Sequence, residues 1–196
     1  MTIFLIEKVK SVPRELQLIT QVESAEGLIN FRDICCTLQE GLAKSNTSLA
    51  AVIFGSDDFC ASIGCTRSPG GWELMYARQK IVTIAKAFKL QAIDMVDINF
   101  KDIESFRKYA KEGAAMGFTG KQVIHPNQVQ PAHECFAPSE SKVKWATDLM
   151  AAFHRHSLEG KGAFVFENQM IDKPSLLQAE NIKILADIIK QRRSSS

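Results

Sequence analysis

Glu23, in QLITQVESAEGLINF, and Asp58, in LAAVIFGSDDFCASIG, stand 35 positions apart, each where an apolar run of strand type gives way to a helix-like stretch. A third segment, GFTGKQVIHPNQ at 117–128, repeats the order of strand followed by polar residues. Carboxylates at the C-terminal ends of successive parallel strands converge on one mouth, which is how a barrel builds a site for a divalent metal. Spacing alone leaves two other readings open: Glu23 as an acid favoured by a helix N-terminus, and Asp58 as a helix cap. Asp57 neighbours Asp58 but points elsewhere in such a turn, so it is not assigned to the metal. Glu26, three residues beyond Glu23, reads as a solvated or capping carboxylate.

Elements able to position these acids follow from periodicity. Leu16–Val22 reads as a strand, and Glu26 to about Leu42 carries helical spacing in Leu28, Phe31, Cys35 and Leu38. Leu49–Phe54 is a near-continuous apolar run, as expected of a strand covered on both faces. After a loop holding SPGG, the pattern predicts a helix over Glu73–Phe88, a strand over Gln91–Ile98, a helix over Lys101–Met116 and a strand over Phe118–Ile124. Strands alternating with helices at this spacing argue for right-handed parallel βαβ units. From about Ser139 the pattern changes to a helix over Ser141–His156, a Gly-rich connector, a short FVFENQ segment, and a last helix from Pro174. The expected organisation is a partial (β/α) barrel over residues 1–137 and a helical extension with a lid segment over 138–196. Four strands are half of an eight-stranded barrel, and composition alone equally allows a small open doubly wound sheet.

Composition narrows the class. With 196 residues, 45% apolar and 23% charged, the chain can bury one sizeable core. Its 24 basic and 22 acidic residues leave a formal charge of +2 with no long run of one sign, which points away from nucleic acid and membrane surfaces. Cys35, Cys36, Cys60, Cys65 and Cys135 are odd in number and lack paired metal spacing, so they read as reduced thiols packed as small apolar groups. MTIFLIEKVK has no basic n-region and reads as neither a signal nor a transit peptide, and QRRSSS reads as a frayed polar tail. His125, before Pro126, reads as a turn residue and Arg78 as a helix-anchoring ion-pair residue, while Lys121 is expected to meet a phosphate or a neighbouring carboxylate. His133, His154 and His156 show no partner pattern.

Five ordered segments, QVESAEGLINF, VIFGSDDF, YARQKIVTIAKAFKLQAIDMVDINF, GAAMGFTGKQVIHPNQ and GKGAFVFENQMIDKP, resemble the CitE-like branch of the HpcH/HpaI aldolase and citrate lyase beta-subunit superfamily, including its animal mitochondrial members. The resemblance runs from about Leu16 to beyond Asp172. It implies an α/β fold, the C-terminal half of a TIM (β/α)₈ barrel, and an Mg²⁺-dependent carbon–carbon lyase of CoA thioesters. The implied reaction cleaves citramalyl-CoA to acetyl-CoA and pyruvate, with malate- or citramalate-synthase side activity. Glu23 and Asp58 are the implied metal ligands, the backbones of Ser56 and Asp57 the contacts for a substrate carboxylate, and groups near Gln122 and Val123 the lining of the CoA channel. Asp172, in QMIDKPS, matches the lid carboxylate that acts as acid/base group, in related oligomers at a neighbouring subunit's site. Its other reading is the cap of the Pro-initiated helix.

The resemblance further implies a CoA thioester and a small 2-oxo acid as partners, a homotrimer, and a mitochondrial location, or a cytoplasmic one if no further segment precedes the chain. Two alternatives go with it: a catalytically silent chain that partners a full-length protein, and a citrate lyase beta-type subunit working on an acyl-carrier protein. The match begins after the family's fourth strand. The part absent here carries, in the family, an arginine that grips the substrate carboxylate and contacts to the CoA tail.

Overall fold

A computed structural model describes residues 15–43, 45–158, 164–167 and 169–194. The expectations for MTIFLIEKVK and for the Gly-rich connector at 159–163 lie outside these residues. The chain forms two compact units that divide between Phe136 and Ala137.

In the first unit, β1 (Leu16–Val22), β2 (Thr47–Phe54), β3 (Gln91–Asp94) and β4 (Gly120–Lys121) form one sheet in the order β1-β2-β3-β4. All three pairings are parallel. Each strand returns to its neighbour through helices, as parallel pairing requires: α1 (Ala25–Ile29) and α2 (Phe31–Leu42), then α3 (Ser56–Ile63) and α4 (Met75–Ala87), then α5 (Ile103–Met116). After β4 comes α6 (Val129–Phe136). β2 is buried along most of its length, whereas β1 alternates half-buried and exposed residues. β2 therefore sits between two partners, and β1 has only one among the described strands.

The helices are laid on this sheet by their apolar stripes. Phe31, Cys35, Leu38 and Leu42 follow the i, i+3/i+4 rule on α2, and Ala77, Ile81 and Ala85 do so on α4. They share one core with Val22, Val52, Phe54, Leu74, Ala92 and Phe118. The single helix expected over 26–42 is broken at Asn30, whose backbone leaves the helical region at φ −89°, ψ 3°. Ser24 starts the first piece as its N-cap, accepting a hydrogen bond from the Gly27 N–H at 3.0 Å.

The second unit is a helix, a hairpin and a helix: α7 (Glu140–Leu158), β5 (Phe164–Phe166) paired antiparallel with β6 (Gln169–Ile171), and α8 (Lys173–Ser194). Ala146, Leu149 and Ala152 of α7 pack with Ile171 and Ala179 in its own small core. The expected polar tail is helical through Ser194, and residues 195–196 lie outside the described part.

Candidate functional site

All four strand ends of the first unit carry polar residues on the side where parallel β/α folds place their chemistry. Two of these ends are closed into a buried network. Asp94, the last residue of β3, receives Arg78 of α4 in a two-pronged ion pair, Nε donating to Oδ1 at 3.0 Å and Nη2 to Oδ2 at 2.6 Å. Both side chains are buried, 2% and 0% exposed. The pair is accommodated because α5 presents Gly113: a Cβ there would stand 2.3 Å from Asp94 Oδ2. The Arg78 guanidinium also lies 5.6 Å from the Phe118 ring centre.

Lys121, at the end of β4, points into the same interior, and its Nζ donates to the Met95 carbonyl at 2.7 Å. Burial pushes its ammonium below the usual lysine range, against the pull of Asp94 and Asp97. Lys121 is therefore an internal tie. The expectation that it would bond a phosphate or a carboxylate is replaced by a backbone carbonyl. Three successive carbonyls after β3 are held in this way: Met95 by Lys121, Val96 by Arg67 Nη2, and Asp97 by Gln128 Nε2 at 3.0 Å. Gln128 also accepts from the Ile124 and His125 N–H groups, at 2.9 and 3.2 Å. His125 caps the short 3₁₀ turn Pro126–Gln128 and stacks on Phe100 at 4.6 Å, a turn residue as its sequence suggests.

The other two strand ends stay open. Glu23 follows β1 directly and its side chain leans over the end of β2, where it fills the space beside Gly55. Asp58 lies in the first turn of α3, three residues beyond Gly55. Both are exposed, and among the described residues neither makes a hydrogen bond or ion pair. Asp57, also exposed, is different: Arg67 Nη1 donates to its Oδ1 at 2.6 Å. Arg67 was not singled out in the sequence, and a lone Arg ten residues past the acid gives no periodic signal. Its engagement divides the adjacent aspartates into one that is neutralised and one that is not.

Ser56 is buried, and α3 has no side-chain cap at Gly55, so the first N–H groups of this helix have no intrahelical acceptor. Gln122 uses its N–H on the Asp94 carbonyl at 3.0 Å and its Nε2 on the Phe54 carbonyl at 3.1 Å, tying the end of β4 to the end of β2. Val123 beside it is 37% exposed and makes no hydrogen bond among the described residues.

Asp172 belongs to the second unit. It precedes α8 and its Oδ1 accepts from the Ser175 N–H at 3.0 Å and the Ser175 hydroxyl at 2.8 Å. It is thus a helix N-cap in form. These bonds, the hydroxyl first, hold the carboxyl below the usual aspartate range.

The donor chemistry of the open pair, two exposed carboxylates, suits an Mg²⁺ ion. The gap at Gly55, which a Cβ would close, is occupied by the Glu23 side chain, and hard cations of this size take one or two protein carboxylates with waters and substrate oxygens. Among the described residues no group of three or more His, Cys, Asp and Glu side chains gathers around a common point, as a closed transition-metal site would need.

Four parallel strands in sequential order, each followed by helix, with acids at or just beyond the C-terminal ends of the first three, define half of a (β/α) barrel of the kind that carries enzyme sites. The chain belongs to the HpcH/HpaI aldolase/citrate lyase family, whose model matches residues 4–126. It is 52% identical over 186 residues to the mitochondrial citramalyl-CoA lyase of Homo sapiens, covering 94% of this chain and 54% of that protein. It is 32% identical over 201 residues to the L-malyl-CoA/beta-methylmalyl-CoA lyase of Cereibacter sphaeroides, covering 94% of this chain and 61% of that one. Among solved structures it resembles CitE from Mycobacterium tuberculosis in complex with magnesium, acetoacetate and coenzyme A: TM-score 0.70, 30% identity, 93% of this chain and 65% of that one. The chain thus spans roughly half to two thirds of the length of these relatives.

Proposed function

We propose that this chain carries the metal half of an Mg²⁺-dependent carbon–carbon lyase of CoA thioesters, and that the complete protein cleaves citramalyl-CoA to acetyl-CoA and pyruvate. The carrying observation is the pair Glu23 and Asp58, exposed and without a partner among the described residues, at or just beyond the ends of adjacent strands, in a chain 52% identical to a citramalyl-CoA lyase. Glu23 and Asp58 hold the cation. Bound there, Mg²⁺ supplies positive charge that polarises the oxygens of the hydroxy-acid end of the substrate.

The chain's own groups orient and protonate. The free N–H groups of Ser56 and Asp57 receive the substrate carboxylate, as helix N-termini receive anions, and the strand end at Gln122 and Val123 lines the path of the CoA arm. In cleavage the tertiary hydroxyl gives its proton to water, which relays it to the carboxylate of Asp172, and becomes the ketone of pyruvate. The bond to the methylene breaks, and its electron pair passes into the thioester enolate. Asp172 returns a proton to that carbon, completing acetyl-CoA. In the opposite direction the ionised Asp172, which the Ser175 bonds favour, removes it. The family resemblance supports delivery of Asp172 to a neighbouring subunit within a homotrimer, and the mitochondrial relatives support the same compartment for the complete protein.

The test is metal titration and citramalyl-CoA cleavage in the complete protein. Glu23→Gln and Asp58→Asn should each lose Mg²⁺ affinity and metal-dependent cleavage while the far-UV spectrum stays unchanged. Mg²⁺ affinity within a few-fold of the parent in both variants would remove the reading.

A further inference from the structure

We propose that Gly55 is a positioning residue for the Glu23 carboxylate, a gap at the end of β2 that lets the acid of β1 lie on the side of Asp58; the inference rests on the metal reading above. A Cβ on Gly55 would stand 2.5 Å from Glu23 Cγ, 2.7 Å from Oε1 and 3.1 Å from Cδ. Carbon atoms in contact sit about 3.5–4.0 Å apart, so the two cannot coexist. The requirement is one of space. Gly55 has φ −82° and ψ 81°, on the negative-φ side open to L-residues, and is not one of the positive-φ glycines.

Everything else at this residue is backbone and would survive a methyl group. The Gly55 N–H donates to the Val22 carbonyl at 3.0 Å, extending the β1–β2 ladder by one step, and its carbonyl accepts the first turn of α3 from the Phe59 N–H at 3.1 Å. An alanine keeps both bonds. The conflicting atoms all belong to an exposed side chain with no partner among the described residues, so the side chain yields and the strand does not. Gly55→Ala therefore displaces the carboxylate from β2's end while the sheet stays in register. The same gap explains how a residue outside the helix that carries Asp58 reaches the N-cap of that helix.

The experiment is an Mn²⁺ titration by electron paramagnetic resonance on the full chain, with far-UV circular dichroism alongside, for the parent, Gly55→Ala, Glu23→Ala, Glu23→Gln, Asp58→Asn and the double variant Gly55→Ala/Glu23→Ala. Gly55→Ala is expected to keep the parent spectrum and lose about 10- to 100-fold in Mn²⁺ affinity, as when the support of a metal ligand is removed. In the Glu23→Ala background the same change should have no further effect, since no carboxylate is left to displace. If Glu23→Gln weakens binding and Gly55→Ala does not, the positioning role is overturned and the metal reading stands. Parent affinity in both Glu23→Gln and Asp58→Asn, or no binding by the parent, overturns both. A further loss of affinity in the double variant, or an altered spectrum of Gly55→Ala, traces the effect to the fold and overturns the positioning role.

Discussion

The two pairs of strand ends in the first unit use charge in opposite ways. At β3 and β4, Asp94 and Lys121 are buried and satisfied, the first by Arg78 and the second by the Met95 carbonyl. At β1 and β2, Glu23 and Asp58 are exposed and have no protein partner among the described residues. A buried charge without compensation costs several kcal/mol, so a fold closes such groups with partners. An exposed, unpaired carboxylate costs little and remains free to bind something else. One half of the mouth is therefore closed as frame and the other left open as the proposed binding edge, although both carry charged residues at or just beyond the strand ends.

The comparison breaks most visibly at Arg78. Arg78→Met leaves Asp94 without its partner in the interior, and removal of one member of a buried pair costs about 3–5 kcal/mol. The urea midpoint of the parent and the variant measures it directly. Replacing both residues, Arg78→Met with Asp94→Leu, should recover part of the loss, because no lone charge remains. In contrast Glu23→Gln should leave the midpoint nearly where it was. A Glu23→Gln loss as large as that of Arg78→Met would erase the distinction between frame and edge.

Asp172 in the second unit, the proposed acid/base group, also holds structure as a helix cap. Asparagine caps helices about as well as aspartate, so Asp172→Asn should change stability little while lowering turnover of the complete enzyme by about 10²–10⁴-fold. Turnover at the parent rate would leave the residue a cap and nothing more. Its folded pKa lies below the ordinary value of 3.8. The carboxylate's contribution to stability is therefore present above that value and fades as pH falls through the lower folded one. Removing the hydroxyl in Ser175→Ala weakens the cause of the depression, so the acid limb of the pH–rate profile should move upward.

How far the sequence discloses this arrangement depends on the range of the interaction. β1 lies where its apolar run of strand type places it, and the carboxylates at both open ends are readable because each follows such a run. β3 was expected to reach Ile98 and ends at Asp94. The reason is long-range: the carbonyls of Met95, Val96 and Asp97 are taken by side chains 26, 29 and 31 positions away, so no neighbouring strand receives them. β4 was expected over 118–124 and has two ladder residues for a related reason, since β3 offers it only Ile93 and Asp94 as partners. The helix α6 is not set out as an element by the sequence pattern, in which Pro131 and His133 break the apolar spacing of its eight residues. Arg78 was legible as an ion-pair residue, but its partner on β3 and the Gly113 gap that admits the pair are products of tertiary packing.

The smallest expected effect sharpens the comparison most, because it asks why Asp58 and not Asp57 belongs to the binding edge. Arg67 makes the main difference between them: it holds Asp57 at 2.6 Å, with the two side chains 22% and 54% exposed, while the Ser56 hydroxyl adds only a long contact of 3.5 Å to the same oxygen. Partly exposed pairs of this sort contribute about 0–1 kcal/mol, so Arg67→Gln, which also gives up the bond to the Val96 carbonyl, should move the unfolding midpoint less than Arg78→Met does. Its consequence lies in the metal titration. Once released, Asp57 is an unpaired carboxylate next to Asp58, and either acid can then approach the cation. Asp58→Asn should consequently cost less Mn²⁺ affinity in the Arg67→Gln background than in the parent, a positive coupling in a double-mutant cycle. Equal losses in the two backgrounds would mean that backbone direction in the first turn of α3 already excludes Asp57, and that Arg67 belongs with Arg78 to the frame.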